Sequence, residues 1–167
     1  MVDSGTVNIA YHANDPSVGF AMHKDLEVFK LYLCDTGLFV TLAFWDKNFT
    51  DNLLYQKLLN DKMSTDLGYV YENVVAQMLV AKGNSSFYHT RKSETSHHNH
   101  EIDFLLSRDG KICPVEVKSS TYKRHASFDA FCTKFSSRIL HKYLIYTKDL
   151  RKEKDVLYLP TYMTPFL

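Results

Sequence analysis

One dipeptide, Asp109-Gly110, constrains the fold of this chain more than any other feature, because it separates two runs of alternating apolar and polar residues, 101–108 and 111–118. Alternation with a period of two is typical of β-strands, and Asp-Gly between two such runs is the pattern of a two-residue hairpin turn. Such a turn fixes the register and places Arg108 opposite Lys111. The sequence therefore predicts an antiparallel hairpin whose facing residues can be counted outward from the turn.

Counting outward places acidic residues on both strands far from the turn. Asp103 is predicted to face Glu116 and Glu101 to face Lys118, with all four on one face. Directly opposed Cβ atoms lie about 5 Å apart, and like charges at that distance destabilise a strand pair, so a compensating cation is expected. Lys118 is one candidate for it. A divalent metal ion held by oxygen ligands is the other, and an Asp, a Glu and a Lys are the side chains that metal-assisted hydrolysis uses.

The ordinary interpretation of the same alternation is a strand pair with one charged, solvated face. The inward-facing residues would then be Ile102, Phe104, Leu106, Cys113, Val115 and Val117. Against it, Glu116 and Lys118 lie within an apolar, β-branched run that is typical of a buried strand, where unpaired charge is costly. We therefore favour the functional interpretation.

A helix is predicted between Ser64-Thr65-Asp66, which are typical capping residues, and Gly83-Asn84. Glu72 lies about 160° around this helix from its main apolar residues. Two interpretations of Glu72 stay open, a solvent-facing glutamate and a metal ligand. The apolar residues that recur at steps of three and four, and so predict the buried stripe, are Leu67, Val70, Val74, Met78 and Ala81.

Further patterns predict the remaining elements of an α/β domain. Strands are expected at 30–34, 87–91, 143–146 and 156–159. Residues 36–60 are expected to form one or two helices with Phe44, Trp45 and Phe49 in the core, and 126–135 a further helix. The segment 1–28 shows no clean period and is left as a poorly defined N-terminal segment ahead of a domain at 29–167.

Four motifs in order carry a wider resemblance. They are FKLYLCDTGL at 29–38, GYVYENVVA at 68–76, EIDF at 101–104 and PVEVKSS at 114–120. Together they resemble the uncharacterised C-terminal domain of bacterial and archaeal AAA-type ATPases. Asp103 followed by Glu116-Val117-Lys118 resembles the D…(D/E)xK core of the restriction-endonuclease-like superfamily.

The resemblance implies a restriction-endonuclease-like fold, a mixed β-sheet flanked by helices. It implies that Asp103, Glu116, Lys118 and Glu72 form the catalytic site. It also implies that Mg²⁺ or Mn²⁺ binds to Asp103, Glu116, Glu72 and the backbone carbonyl of Val117. An ATPase domain and a connecting region would precede this domain in the same polypeptide, with 1–28 as a candidate remnant of that connection.

Composition excludes several classes of protein. A mean hydropathy of −0.26, with no apolar run near twenty residues, predicts no membrane span. Three cysteines without CxxC spacing, and a start without an apolar signal region, lead us to expect a cytoplasmic protein. No Gly-x-x-x-x-Gly-Lys motif occurs, so we expect no ATP site in this chain.

Positive charge concentrates in the half that carries the hairpin. Residues 87–154 contain fourteen Lys and Arg against eight Asp and Glu. We expect Arg91, Lys92, Lys123 and Arg124 to form a nucleic-acid-binding rim around the carboxylates. Two functions stay open: a metal-dependent phosphodiesterase acting on DNA, and a catalytically inactive module that binds nucleic acid or protein for an ATPase.

Overall fold

The predicted hairpin lies at the centre of an eight-stranded sheet in the computed structural model of the chain, which describes residues 3–17, 19–43, 45, 67–92, 99–119 and 125–167. Its strands are β4 (Asn99–Arg108) and β5 (Lys111–Val117), and Arg108 pairs with Lys111 as predicted. Asp109 and Gly110 have φ angles of 48° and 72°. Both values lie in the left-handed region that a type I′ turn requires, which explains why this dipeptide fixes the register.

Six further strands complete the sheet among the described residues. They are β1 (Val7–Ala13), β2 (Lys24–Leu33), β3 (Phe87–Lys92), β6 (Lys142–Tyr146), β7 (Arg151–Glu153) and β8 (Val156–Pro160). The order across the sheet is β2-β1-β3-β4-β5-β6-β8-β7. The pairs β1–β3, β5–β6 and β6–β8 are parallel and the others antiparallel. The sheet is therefore mixed, and the expected mixed α/β class is confirmed.

The helices are α1 (Thr36–Ala43), α2 (Leu67–Ala81) and α3 (Ala126–Lys134). Neighbouring residues of β5 show that α2 and α3 cover opposite faces of the sheet. Ile112 packs in one core cluster with Phe128 of α3, whereas Cys113 packs in the other with Leu79 of α2. Among the described residues, no helix is long and apolar enough to cross a membrane.

Several sequence predictions are confirmed and others are wrong. The strands at 87–91, 143–146 and 156–159 and the helix at 126–135 form within one or two residues of the predicted bounds. Trp45 was expected in the core but is 75% exposed, and Phe44 and Phe49 lie outside the described residues. No element was predicted within 1–28, where the structure has β1 and the start of β2.

The missed strand β1 has a physical explanation. Its buried residues are Val7, Ala10 and Ala13, a spacing of three instead of two. A pairing irregularity between Tyr11 and His12 interrupts the alternation, and small alanines contribute little pattern. Period-two analysis therefore cannot find this strand, although it connects β2 to the rest of the sheet.

The predicted buried stripe of α2 is also wrong. The fully buried residues are Asn73, Val75, Ala76 and Leu79, whereas Val70, Val74 and Met78 are only half-buried and Ala81 is exposed. The helix is apolar on several sides because α1 and the C-terminal 3₁₀ turn at 161–166 also contact it. Its composition therefore does not select one face, and Glu72 lies on the buried stripe, one turn before Val75 and Ala76.

Asn73 fixes α2 against the end of β2. Its side-chain oxygen accepts a hydrogen bond from the Leu33 N–H at 2.8 Å. Its amide nitrogen donates to the Leu33 carbonyl at 3.0 Å and to the Thr36 hydroxyl at 3.0 Å. A buried amide with three such partners sets the height and rotation of the helix that carries Glu72.

We expect Asn73→Ala to lower the free energy of unfolding by about 2 kcal/mol, because it leaves part-buried backbone groups of Leu33 without these partners. Urea denaturation monitored by circular dichroism measures the change. Tyr69→Ala is the matched control, since Tyr69 is 68% exposed on the same helix and its truncation should cost within about 0.5 kcal/mol. Equal effects of the two substitutions would contradict this role of Asn73.

Candidate carboxylate site

Counted outward from the turn, the regular pairing of β4 with β5 runs from Arg108–Lys111 to Phe104–Val115. It therefore stops one residue short of Asp103. On its other side β4 has a β-bulge, because Leu105 pairs with Phe87 while Ile102 pairs with His89. Asp103 and Phe104 therefore both lie opposite Tyr88. A bulge redirects the side chains of its strand. Accordingly, Ile102 packs in the core cluster that contains Phe128 of α3, whereas Phe104 packs in the cluster that contains Leu79 of α2. The prediction that these two residues share a face is therefore wrong.

Asp103 and Glu116 are buried, with exposures of 8% and 4%. The carboxylate of Asp103 accepts a hydrogen bond from the Val117 N–H at 2.7 Å. Oε1 of Glu116 lies 2.7 Å from Nζ of Lys118, whereas its Oε2 is buried without a hydrogen-bond partner among the described residues. The interpretation of this strand end as a solvated face is therefore wrong.

Glu72 and Lys30 complete the site on the α2 side of the sheet. Nζ of Lys30 lies 3.6 Å from Oε2 of Glu72, and it also forms an ion pair with Glu101. The Tyr32 hydroxyl donates to Oε2 of Glu72 at 3.4 Å. With a side-chain exposure of 19%, Glu72 is not the solvent-facing glutamate that one interpretation expected. We call the six residues Lys30, Glu72, Glu101, Asp103, Glu116 and Lys118 the carboxylate site.

Lys30 and Tyr32 were not predicted as site residues. Both lie on β2, which is two places from β3 and three places from β4 in the sheet, with β1 beside it. Because β1 itself shows no strand period, nothing in the sequence indicated that Lys30 would reach Glu72 and Glu101. The pairing of β1 with both β2 and β3 brings Lys30 towards β4, and this pairing is known from the structure alone.

Burial raises the pKa of three carboxyl groups in the site. The pKa of Asp103 is well above its usual range because of burial, then because of the negative charges of Glu116 and Glu72, while the Val117 N–H opposes the rise. Burial also raises the pKa of Glu116 against the opposing charge of Lys118. It raises the pKa of Glu72 against the opposing charge of Lys30.

The two lysines stay charged. Burial by itself lowers the pKa of Lys118, but Glu116, Asp103 and Glu72 outweigh it and the net pKa is raised. Burial likewise lowers the pKa of Lys30, and Glu72 and Glu101 outweigh it with the same net result. If all six groups were ionised, four carboxylates would face two ammonium groups, which leaves two negative charges uncompensated.

The arrangement does not form a preorganised metal site. Within the described part of the chain, no group of three or more His, Cys, Asp or Glu residues is placed to hold a metal ion. Lys30, Lys118 and the Val117 N–H instead occupy carboxylate oxygens. The unpartnered oxygen of Glu116 is the position at which the site can accept a further donor or a cation.

The predicted basic rim is only partly described. Arg91 pairs with His100 and Lys92 with Asn99 at the end of β3, next to Glu101. Lys123 and Arg124 lie outside the described residues. Other basic residues of this half are bound elsewhere: Arg138 forms an ion pair with Asp15 at 2.6 Å, and Lys142 forms one with Asp155.

The raised carboxyl pKa values predict how stability depends on pH without metal. The folded state holds these protons more tightly than the unfolded chain, so the free energy of unfolding falls as pH rises from about 4, the unfolded value, through the raised folded values. Asp103→Asn should flatten this fall. Urea midpoints between acidic and neutral pH in EDTA measure it, with the exposed Asp149→Asn as control. A slope unchanged by Asp103→Asn would contradict the shift.

Comparisons with known proteins add a family assignment. The family described as Domain of unknown function (DUF4143) matches residues 67–162, which include α2 and the hairpin β4–β5. The match therefore contains Glu72, Glu101, Asp103 and Glu116 but not Lys30. Searches of curated proteins and of solved structures gave no match. Because the family match covers more than half of the chain, the chain belongs to the DUF4143 family.

Proposed function

We propose that the carboxylate site binds Mg²⁺ or Mn²⁺ and that the domain hydrolyses phosphodiester bonds of DNA. The observation that carries the proposal is the buried Oε2 of Glu116, which has no partner among the described residues and lies in a site whose ionised charges do not balance. A buried carboxylate oxygen without a partner is costly, and binding of a divalent cation would offset that cost.

The donor set suits such an ion. Asp103, Glu116, Glu72 and the backbone carbonyl of Val117 would hold it, since Mg²⁺ and Mn²⁺ prefer carboxylate and carbonyl oxygen. When bound, the ion would supply an activated water and stabilise negative charge on the phosphate. The two uncompensated negative charges of the ionised site equal the charge of one divalent cation.

Lys118 would act as a hydrogen-bond donor in this reaction. Its ion pair with Glu116 and its raised pKa keep it protonated at neutral pH. An ammonium group has three donors and no lone pair, so it would orient the attacking water or contact a phosphate oxygen, and it would not act as a base in that state. Its side chain is 27% exposed, which leaves it accessible from solvent.

The order of elements supports the proposal. The hairpin β4–β5 is followed by α3 and then by β6, which is parallel to β5. A helix before the hairpin supplies Glu72. This β-β-α-β arrangement with an acidic residue on the preceding helix is the one implied by the restriction-endonuclease-like resemblance, and we propose that fold for the domain.

A second function is favoured by the ion pairs of the site. Lys30 forms ion pairs with Glu72 and Glu101, and Lys118 forms one with Glu116, without any metal ion. A domain stabilised in this way could serve as a catalytically inactive module that binds nucleic acid or protein for an AAA-type ATPase in the same polypeptide. Metal binding separates the two functions.

We expect millimolar Mn²⁺ to raise the melting temperature by about 3–6 °C at a tenfold excess over Kd, because the cation binds the folded state only. Glu116→Gln should abolish this rise and slightly raise the melting temperature in EDTA, since it removes a buried charge. Differential scanning fluorimetry measures both. Asp149→Gln is the control and should keep the Mn²⁺ effect. An unsubstituted protein that does not respond to Mn²⁺ would favour the inactive module.

We further expect weak, Mn²⁺-dependent cleavage of DNA by the purified protein. Lys118→Ala should lower the rate by about 100-fold, as expected for loss of one charge-stabilising donor, while Mn²⁺ binding is retained. Asp103→Ala should lose both. Gel assays with single- and double-stranded DNA, together with Mn²⁺ titration calorimetry, measure these effects.

Comparison of the three proteins distinguishes cleavage by this domain from cleavage by a contaminant. Equal cleavage by the unsubstituted protein, Asp103→Ala and Lys118→Ala would expose a contaminating nuclease. Mn²⁺ binding without cleavage by any of them would overturn the catalytic proposal and leave a metal-binding module.

A further inference from the structure

The parallel pairing of β1 with β3 is short and leaves an opening in the sheet. It covers two residues of each strand, and a hydrogen bond from the Tyr11 N–H to the Ser86 carbonyl, 3.1 Å long, closes its end. Ahead of this point residues 7–10 pair with β2, whereas residues 84–86 diverge from β1. A cavity of about 430 Å³ lies between these two segments, and we call it the β1 opening.

Backbone groups of β1 point into this opening. The Cys34 N–H donates to the Thr6 carbonyl at 3.0 Å, so these two residues form a hydrogen-bonded pair between β2 and β1. In an antiparallel ladder such pairs alternate with residues whose N–H and C=O point to the other side of the strand. Val7 and Ile9 are residues of this second kind, as is Tyr11, which bonds across towards β3. Unlike Tyr11, they have no backbone partner on that side among the described residues.

Contacts of Asn84 keep the opening apart. Gly83 has a φ of 80°, the left-handed conformation that ends α2, and the Asn84 N–H bonds back to the Leu79 carbonyl at 3.1 Å. The side-chain oxygen of Asn84 accepts a hydrogen bond from Arg108 of β4 at 2.6 Å. Residues 84–86 are thus bound to α2 and to the hairpin, and they cannot close onto β1 without losing these contacts. The opening is therefore formed in the absence of a ligand.

The lining of the β1 opening differs between its two sides. Nζ of Lys24 lies 4.9 Å from the centre of the Tyr11 ring, which packs against the core cluster on the α3 side. Val80 of α2 lines the other side, and none of the lining residues in the described chain is Asp or Glu. The Ser86 hydroxyl is buried and has no hydrogen-bond partner within the described residues. Unsatisfied polar groups and an uncompensated lysine favour a polar ligand with negative charge.

We propose that the β1 opening binds an extended acidic segment of another polypeptide, which adds a short strand beside residues 7–9. The backbone groups of Val7 and Ile9 repeat at about 7 Å, and another extended backbone matches that repeat. Successive side chains of a strand point to opposite faces, so acidic residues at alternate positions face Lys24 while the apolar residue between them faces Val80. This binding needs neither a metal ion nor DNA and is separate from the carboxylate site.

The test is fluorescence anisotropy in EDTA with the labelled peptide Glu-Val-Glu-Val-Glu as the probe. We expect saturable binding. The same peptide with its three internal residues N-methylated should bind about tenfold more weakly, because it keeps every side chain and loses the backbone donors. Lys-Val-Lys-Val-Lys should also bind about tenfold more weakly, since its charge repels Lys24.

Two pairs of variants locate the binding. Ile9→Pro removes an N–H that faces the opening and leaves the pairing with β2 in place, so it should weaken binding about fivefold or more. Ile9→Ala keeps that N–H and should weaken binding less. Lys24→Gln should weaken it about threefold to fivefold, whereas Lys152→Gln, on β7 at the other edge of the sheet, should have no effect. Circular dichroism confirms that the variants are folded.

Four results would each overturn the proposal. They are no binding of Glu-Val-Glu-Val-Glu to the unsubstituted protein, equal affinity for the N-methylated peptide, equal losses in Ile9→Pro and Ile9→Ala, and equal losses in Lys24→Gln and Lys152→Gln. The N-methylated peptide tests backbone pairing on the unsubstituted protein, so the proposal stays testable even if Ile9→Pro does not fold.

Discussion

The burial of Asp103 and Glu116 at the end of the central strand pair is the constraint on which the rest of the structure depends. Two carboxylates removed from water must be neutralised, hydrogen-bonded or protonated. The chain uses all three means: Lys118 pairs with Glu116, the Val117 N–H binds Asp103, and the raised pKa values favour protons. One oxygen of Glu116 still has no partner within the described residues, and this residual demand is what we interpret as a cation site.

The architecture brings the other charges to this point from distant parts of the chain. Glu72 arrives on α2, whose position Asn73 fixes against the end of β2. Lys30 arrives on β2, which joins the sheet by pairing with β1. Lys30 lies outside the segment that matches the family, so part of the site's charge balance depends on residues beyond the family match. The four carboxylates and Lys118 therefore lie inside the family match, whereas Lys30, which forms ion pairs with two of those carboxylates, lies outside it.

The sequence allowed prediction of the features that local rules determine. The Asp109-Gly110 turn requires left-handed angles at both residues, so it specified the pairing of Arg108 with Lys111. That register also predicted that Glu101, Asp103, Glu116 and Lys118 share one face, and this is wrong. The backbone pairing ends before Asp103, and Glu101 forms an ion pair with Lys30 on the α2 side, whereas Glu116 pairs with Leu144 of the core cluster on the α3 side. The β-bulge at Asp103-Phe104 depends on the neighbouring strand β3 and has no sequence signature. It explains why the side-chain alternation predicted for β4 fails at Ile102.

Other errors arose where several faces of an element are apolar or where contacts are remote. The stripe of α2 was misplaced because α1, the sheet and the C-terminal turn all contact that helix, and Glu72 was therefore assigned to the wrong side. Lys30 could not be predicted because its partners follow it by 42 and 71 residues and the connecting strand has no regular period. Such long-range charge pairs depend on the order of the strands in the sheet, which no local sequence pattern specifies.

The most direct test of the central claim is anomalous diffraction from crystals of the unsubstituted protein grown with Mn²⁺. We expect an anomalous peak within about 2.0–2.3 Å of oxygen atoms of both Asp103 and Glu116, with Lys118 displaced from at least one Glu116 oxygen. A map with no peak at these carboxylates, in crystals where Lys118 still contacts Glu116 and Mn²⁺ is bound elsewhere or not at all, would contradict it.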